Sequence, residues 1–160
     1  MIVPERAIIP FRGTLRHMAM DDLRDLWELD RRCFADGEAY EHETLRYLLS
    51  NPQCLTRQIR DENAKLSAFA LGLIEANGVG HLTTIGVSPE NRRRGLARML
   101  LHSLENGFAG EGVSTVRLEV RVGNTGAQRL YEQAGYFVAQ RMERYYANGG
   151  DAWLMVKSLV

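Results

Sequence analysis

The chain has 160 residues, of which 45% are hydrophobic and 25% are charged, as is usual for one globular domain. Its 20 basic and 20 acidic side chains cancel, so overall charge gives no argument for binding to nucleic acid or to a membrane surface. No apolar run approaches the roughly 20 residues of a membrane-spanning helix. Cys33 and Cys54 lack the spacing of a zinc site, and we expect two reduced thiols in a cytoplasmic protein.

The N-terminal region is predicted as an arm, a strand and two helices. Residues 1–13 carry two prolines and lack the continuous apolar segment of a signal peptide. We therefore interpret them as an extended arm that precedes a single domain at residues 14–160. After a short strand at residues 14–18, apolar side chains at helical spacing predict helices at residues 20–34 and 42–50.

The rest of the chain is predicted as strands separated by turns and two more helices. Alternating or β-branched apolar residues predict strands at residues 54–60, 66–76, 82–87, 116–122, 136–146 and 153–159. Apolar spacing predicts a helix at residues 95–109, and another that begins with a capping box at Thr125 and Gln128 and ends at Gly135. Strand–helix–strand order implies parallel neighbours, and short turns imply antiparallel pairs. We predict an α+β fold in three layers, with a mixed, mostly antiparallel sheet flanked by helices.

A basic corner at residues 85–97, IGVSPENRRRGLA, is the most informative segment. Arg92, Arg93 and Arg94 lie beside a predicted helix start, whose first N–H groups have no intrahelical partner and carry the positive end of the helix dipole. Gly95 lacks a Cβ, so a ligand can approach the main chain closely. Such a corner is typical of a phosphate or pyrophosphate site. The alternative is a solvated, cationic helix start.

Four ordered sequence blocks extend this signal over residues 65–160. They are Arg92-x-x-Gly95-x-Ala97, Leu118-Glu119-Val120-Arg121, Asn124-x-x-Ala127-x-x-Leu130-Tyr131-Glu132-x-x-Gly135-Tyr136, and Tyr145-Tyr146 with Asp151-Ala152-Trp153-Leu154-Met155. Together they resemble the GNAT acetyltransferase superfamily, and most of all its ribosomal-protein-alanine N-acetyltransferases, which acetylate a protein's N-terminal amine. The resemblance implies a GNAT-like fold in which the strands at residues 82–87 and 116–122 splay apart around the pantetheine arm of acetyl-CoA.

The resemblance also implies a binding site for acetyl-CoA as cosubstrate, with no metal. Backbone groups of Ile85 and Val87 are expected to pair with the pantetheine arm, and main-chain amides of residues 93–98 to meet the pyrophosphate. Asn124 is expected to contact the coenzyme A arm, with a helix cap as its alternative role. The residues predicted to bind the cofactor are Ile85, Gly86, Val87, Arg92, Arg93, Arg94, Gly95, Leu96, Ala97, Arg98, Asn124 and Tyr131.

Two residues are candidates for proton transfer. In the resembled enzymes the position of Glu119 carries a general base, which acts directly or through water; the alternative is a surface carboxylate paired with Arg117 or Arg121. Tyr131 has a phenol that is protonated at neutral pH and is the candidate general acid for the departing sulfur. Its alternative is an aromatic side chain packed in the core. We predict that Glu119 and Tyr131 are the catalytic residues.

The acceptor side of the site is predicted from aromatic residues. By resemblance, Phe34, Tyr40, Tyr145 and Tyr146 form the groove for the amine substrate, with strand packing as the alternative for the paired tyrosines. Residues 34–40 depart from the Pro-Trp-Ser signature typical of the ribosomal-protein enzymes, which leaves the acceptor open. The four histidines show neither metal nor triad spacing, and we interpret them as surface or core residues.

The predicted function is transfer of an acetyl group from acetyl-CoA to a primary amine, foremost the N-terminal α-amine of a protein or peptide. One alternative is a small-molecule amine or amino-acid acetyltransferase, and another is a non-catalytic acyl-CoA-binding sensor. Neither nucleic acid nor a membrane is an expected partner. The protein is expected to be a monomer or a homodimer.

Overall fold

The computed structural model describes residues 11–34 and 37–160 of the chain. Its elements in chain order are β1 Gly13–Arg16, α1 Leu23–Cys33, α2 His42–Ser50, β2 Cys54–Asp61, β3 Leu66–Ile74, β4 Gly80–Val87, α3 Leu96–Gly110, β5 Thr115–Arg121, α4 Thr125–Gln133, β6 Phe137–Met142 and β7 Ala152–Ser158. Every predicted helix and strand is present, with shifts of a few residues at the ends and one strand, predicted at residues 136–146, that ends early. Most of the predicted arm lies outside the described residues, and Gly13, its last residue, already belongs to β1.

The described strands form a single sheet in the order β1-β2-β3-β4-β5-β7-β6. Neighbours are antiparallel except β4 and β5, which are parallel because α3 crosses over between them. The hairpin of β6 and β7 returns to the sheet so that β7, not β6, pairs with β5. The predicted mixed, mostly antiparallel sheet is therefore confirmed.

Helices cover both faces of the sheet and divide its core in two. On β3, Phe69 and Leu71 pack with the leucines of α1 and α2, whereas Ala68 and Ala70 belong to the cluster formed by α3. Successive strand residues face opposite sides, so large side chains fill one layer and small ones let α3 and its Phe108 approach on the other. Burial on both faces explains why β3 is almost continuously apolar.

The parallel strands β4 and β5 separate soon after they begin. They pair only at Gly80 with Val116 and at His81 with Arg117. Immediately beyond, β4 carries a β-bulge at Thr83, which has no partner residue in β3. Because a bulge bends and twists its own strand, β4 turns away from β5 and a gap opens between them. This is the splayed pair that the resemblance implied.

The capping box predicted at Thr125 and Gln128 is wrong. The N-cap of α4 is Asn124, whose Oδ1 accepts a hydrogen bond from the Ala127 amide at 3.1 Å. The Gln128 side chain instead donates to two main-chain carbonyls at the end of β5. An asparagine is as good an N-cap as a threonine, and here it lies one residue earlier.

The strand predicted at residues 136–146 is shorter than expected. β6 ends at Met142, and Arg144 has a φ of 51°, which lies in the left-handed region and interrupts an extended strand. Tyr146 N donates to Gly150 O at 3.1 Å and closes a turn. The paired tyrosines therefore lie in the turn before β7 and not in a strand.

Candidate active site

A cleft of about 940 Å³ lies in the gap between β4 and β5. We call the part beside the start of α3 the α3 end, and the part beside Glu119, Tyr145 and Tyr146 the tyrosine end. The predicted site residues that line the cleft are Phe34, Tyr40, Ile85, Gly86, Val87, Arg92, Arg93, Gly95, Leu96, Ala97, Arg98, Glu119, Asn124, Tyr131, Tyr145 and Tyr146. Arg94 is the one predicted site residue that does not line the cleft. Its NH1 lies 3.5 Å from Asn91 Oδ1 instead.

At the α3 end, β4 directs main-chain groups into the gap. Ser88 N donates to Ser67 O on the β3 side at 2.8 Å, and antiparallel residues alternate between bonded and non-bonded pairs. The N–H and C=O groups of Ile85 and Val87 therefore point away from β3, toward the space that β5 has left. The Val87 carbonyl already accepts from Arg92 Nε at 3.3 Å. The remaining groups form a strand edge with which an extended ligand can pair.

The loop before α3 and the first turn of the helix form a main-chain cradle. Arg93 and Gly95 have φ angles of 63° and 77°, in the left-handed region that favours glycine. The first intrahelical bond runs from Met99 N to Gly95 O, so the amides of residues 96–98 have no acceptor within α3. A Cβ on Gly95 would meet no atom within 4 Å, so it would occupy open space beside these amides. The cradle therefore fits the diphosphate of coenzyme A.

Two residues of this region have a role in packing or orientation. A Cβ on Gly86 would lie 2.7 Å from the Phe69 ring, so packing alone explains why this residue of β4 is a glycine. Arg98 NH2 donates to Gln133 Oε1 at 2.7 Å and ties the first turn of α3 to the end of α4. The main-chain amides of the cradle are left open to an anion, and Arg93 lines the cleft beside them.

At the tyrosine end, Glu119 is a carboxylate buried in the wall of the cleft. Its side chain is 6% exposed, and its Oε2 lies 2.6 Å from His81 Nε2. Its Oε1 accepts a hydrogen bond from Arg117, which also donates to both carboxylate oxygens of Glu75 at 2.8 Å. An ionised carboxylate only accepts, so His81 Nε2 carries the hydrogen in this pair. The alternative interpretation, a surface carboxylate paired with an arginine, is thus right about the pairing with Arg117, but the Glu119 side chain is buried and not on the surface.

The interpretation of His81 as a surface or core residue is wrong. Its side chain is 18% exposed, lines the cleft and contacts Glu119. His81 and Arg117 are the last paired residues of β4 and β5, and Glu119 lies two residues farther along β5, on the same face as Arg117. The contact joins residues 38 positions apart, and only the register of the parallel pair brings them together.

Tyr131 forms part of the inner wall of the cleft. The residue is 6% exposed, and its ring packs edge-on against Tyr136 with the ring centroids 5.9 Å apart. Burial raises the pKa of the Tyr131 hydroxyl above its ordinary value, so the phenol keeps its proton at neutral pH. Tyr131 is therefore both a core residue and a residue that lines the cleft. Asn124 also has two roles, because it caps α4 and lines the cleft.

The loop after α1 is held against the cleft by Tyr40. Its amide donates to Asp30 Oδ2 at 2.7 Å, and its hydroxyl donates to the Thr83 carbonyl at the bulge of β4. Burial raises the pKa of Tyr40 to about 12 and that of Asp30 to about 6. Asp30 Oδ1 has no hydrogen-bond partner among the described residues. Phe34 also lines the cleft, whereas residues 35–36 of the predicted groove lie outside the described part of the chain.

Tyr145 and Tyr146 close the same end from the turn before β7. Their rings meet edge-on with centroids 5.0 Å apart. Burial and then the charge of Glu119 raise the pKa of Tyr145, and burial raises that of Tyr146 to about 12. The structure thus brings all four predicted groove aromatics, from two distant parts of the chain, to the same cleft.

Residues 11–34 and 37–160 offer neither a metal cluster nor a membrane-spanning helix. Within these ranges, no group of three or more His, Cys, Asp or Glu side chains is arranged to hold a metal ion. Over the same ranges, each helix is too short or too polar to cross a membrane.

Comparisons with known proteins identify the family of the chain. A family model described as Acetyltransferase (GNAT) family matches residues 20–136. N-alpha-acetyltransferase 20 of Dictyostelium discoideum is 38% identical over 122 residues, which cover 72% of this chain and 68% of that protein. The N-terminal acetyltransferase A complex catalytic subunit NAA10 of Arabidopsis thaliana is 31% identical over 153 residues, which cover 91% of this chain and 77% of that protein.

A solved structure extends the agreement to the fold. The crystal structure of the ribosomal-protein-S18-alanine N-acetyltransferase from Escherichia coli matches with a TM-score of 0.82 and 29% identity, over 92% of this chain and 94% of that one. The predicted fold, cosubstrate and enzyme class are therefore confirmed. The chain belongs to the GNAT acetyltransferase family, and it is an N-acetyltransferase that takes its acetyl group from acetyl-CoA.

Proposed function

We propose that the acetyl acceptor is the N-terminal α-amine of a protein or peptide. The observation that carries this proposal is the buried Glu119 at the tyrosine end, with one oxygen on His81 and the other on Arg117. NAA10 and the S18-alanine enzyme, to which this chain is similar, act by their names on a protein N-terminus and on an alanine of a ribosomal protein. Both resemblances support an acceptor of the same class.

The chemistry of the acceptor favours an α-amine over a lysine. An α-amine has a pKa of about 8, so about a tenth of it is neutral and nucleophilic at pH 7. A lysine side chain, with a pKa of about 10.4, is neutral in only about one molecule in 2,500. A single carboxylate is a weak base, and Glu119 suits the first task better.

The α3 end holds the donor. Acetyl-CoA, when bound, supplies an acyl group that is activated as a thioester. In our proposal the free edge of β4 at Ile85 and Val87 pairs with the extended arm, and the amides around Gly95 hold the diphosphate. This orients the acyl group toward the tyrosine end and converts a bimolecular encounter into a reaction between fixed groups.

Proton transfer is assigned to Glu119 and Tyr131. As the new nitrogen–carbon bond forms, the amine must lose a proton, which we assign to Glu119 through a bridging water because both carboxylate oxygens already accept hydrogen bonds. As the carbon–sulfur bond breaks, the sulfur must gain a proton, which the Tyr131 hydroxyl donates. The aromatic groove of Tyr40, Tyr145 and Tyr146 holds the first residues of the acceptor.

The experiment is an acceptor screen that measures release of free thiol from acetyl-CoA. The panel contains peptides with a free N-terminus, the same peptides with a blocked N-terminus and an internal lysine, free amino acids and polyamines. We expect release only with free N-termini. Release with small amines and not with peptides would make the protein a small-amine acetyltransferase, and no release with any acceptor would make it an acyl-CoA sensor.

A further inference from the structure

Arg121, at the end of β5, joins separate segments around the tyrosine end. Its Nε donates to the carboxylate of Glu38, in the loop after α1, and its NH2 donates to Asn148 Oδ1 at 3.1 Å, in the turn before β7. Its Cζ lies 4.3 Å from the centroid of the Tyr146 ring, which is a cation–π distance. One guanidinium therefore links the loop and the turn that flank the cleft.

Gly150 leaves the space that this guanidinium occupies. A Cβ on Gly150 would lie 2.0 Å from Arg121 NH1. The φ of Gly150 is not in the left-handed region, unlike that of its neighbour Gly149. The backbone therefore does not require glycine at this position, but a side chain there would displace the end of the Arg121 side chain.

Arg141 offers a comparison on the outer side of the same turn. It donates from Nε and NH2 to Asp151 Oδ2 at 3.0 and 2.9 Å, and its Cζ lies 5.1 Å from the centroid of the Trp153 ring. The two arginines have the same kinds of partner, a carboxylate and an aromatic ring. Arg121 lines the cleft with its partner carboxylate Glu38, whereas neither Arg141 nor its partners do.

We propose that Arg121 is a positioning residue that determines acceptor specificity. By clasping the loop after α1 to the turn before β7, it holds Glu38 and Tyr146 as two walls of a channel through which a peptide end reaches Glu119. Among the described residues, the Arg121 side chain forms no hydrogen bond with Glu119 or Tyr131, so it acts through the channel and not on the transferred protons. The inference rests on the proposed acceptor and names the residue that selects it.

The test compares Arg121→Gln, Arg121→Lys and Gly150→Ala with the matched control Arg141→Gln. For Arg121→Gln and Gly150→Ala we expect the KM for a free N-terminal peptide to rise about tenfold, because a charge-assisted, partly buried contact is lost or displaced. The KM for acetyl-CoA and the turnover at saturating peptide should stay near those of the parent protein. Arg121→Lys keeps the charge but not the forked geometry, so its KM should be intermediate. Arg141→Gln should leave both KM values unchanged.

The outcomes separate this inference from the proposed function. Three results would each overturn the proposed role of Arg121. They are an unchanged peptide KM in Arg121→Gln, equal rises in the KM values for peptide and acetyl-CoA, and the same rise in peptide KM in Arg141→Gln. Those results require a parent protein that acetylates N-terminal peptides. A parent protein without any activity on such peptides would instead overturn the proposed function itself, before any variant is made.

Discussion

The two ends of the cleft are built from different parts of the chain. The α3 end consists of main-chain groups, the free edge of β4 and the first amides of α3, which the left-handed turn at Arg93 and Gly95 orients. The tyrosine end consists of side chains, in which Glu119 is held by His81 and Arg117. One end therefore depends on backbone conformation, and the other on residue identity.

This difference determines how substitutions should act. A main-chain site tolerates many side chains provided that the turn keeps its shape, so only conformational changes should weaken donor binding. A side-chain site depends on particular functional groups, so replacing one carboxylate or one hydroxyl should remove a chemical step while leaving the backbone as it is. The predictions below test this contrast, from the largest expected effect to the smallest.

Glu119→Gln should lower kcat by about 10²–10⁴ because it removes the proton acceptor while keeping the size of the side chain. The dissociation constant of acetyl-CoA, measured by calorimetry, should stay close to the parent value. The matched control is Glu105→Gln, an equally buried carboxylate that binds Tyr136 and Lys157 away from the cleft and should retain kcat. Full activity of the Glu119 variant across pH would contradict its assignment as the base.

Tyr131→Phe should lower the rate of a single turnover by about 10², because the ring is kept and only the proton donor is lost. The matched control, Tyr136→Phe, removes the hydroxyl that donates to Glu105 at 2.9 Å and does not line the cleft. That variant should lose stability without losing the rate of the chemical step. Equal rates for the two variants would argue against an acid at position 131.

Gly95→Ala should raise the KM for acetyl-CoA by about tenfold, since a methyl group and a strained turn would disturb the cradle. Gly112→Ala, beyond the other end of α3, is the matched control. Its φ of 81° and the open space around it resemble those of Gly95, so each variant should lose about 1 kcal/mol of stability. Only the Gly95 variant should change the KM; equal KM values would locate the diphosphate elsewhere.

Asp30→Asn should change how stability depends on pH. Burial raises the pKa of Asp30 from 3.8 to about 6, so the folded state binds its proton more tightly than the unfolded state between these values. The contribution of Asp30 to the free energy of unfolding should therefore fall as the pH rises through this window and stay lower above it. Relative to the parent, the variant should gain on the order of 1–3 kcal/mol over the same window. Urea midpoints of the variant and the parent at both ends of the window measure this difference in stability. Parallel pH profiles for the two proteins would exclude a contribution from Asp30.

Asn124→Ala should cost about 1 kcal/mol of stability, because the Ala127 amide loses its side-chain acceptor at the start of α4. Thr125→Ala, at the position where a capping box was expected, should raise stability by about a few tenths of a kcal/mol, because alanine is the better helix former and Thr125 makes no cap. Thermal unfolding of the two variants measures the difference. A larger loss in the threonine variant would reverse the assignment of the cap.

The order of helices and strands could be predicted because it depends on local patterns. The alternation along residues 116–122 and the helical spacing after Gly95 appear in the sequence as they do in β5 and α3. Two predictions from local sequence patterns were wrong, the N-cap of α4 and the end of β6. Asn124 lies next to Thr125 and takes the cap, and the turn at Arg144 ends a strand whose apolar and aromatic residues continue.

The site could be predicted only in part. The turn at Gly95 was recognisable because a helix start needs few residues. Glu119 and Tyr131 were predicted through the resemblance to a family, and the structure places both on the cleft, while their catalytic roles stay predictions. The contacts of His81 and Arg121 could not be predicted, because their partners lie 38 and 83 positions away. Periodicity carries no information about such pairs.

By itself the sequence determined the elements of this acetyltransferase and the glycine-bearing turn at the start of α3, since both follow from the conformational preferences of neighbouring residues. Tertiary structure alone decided where the cleft opens and which charges meet inside it. The bulge at Thr83 and the brief pairing at Gly80 and His81 separate β4 from β5 and bring His81 to Glu119. The physical reason is that burial and ion pairing depend on distances through space, which the register of the sheet sets.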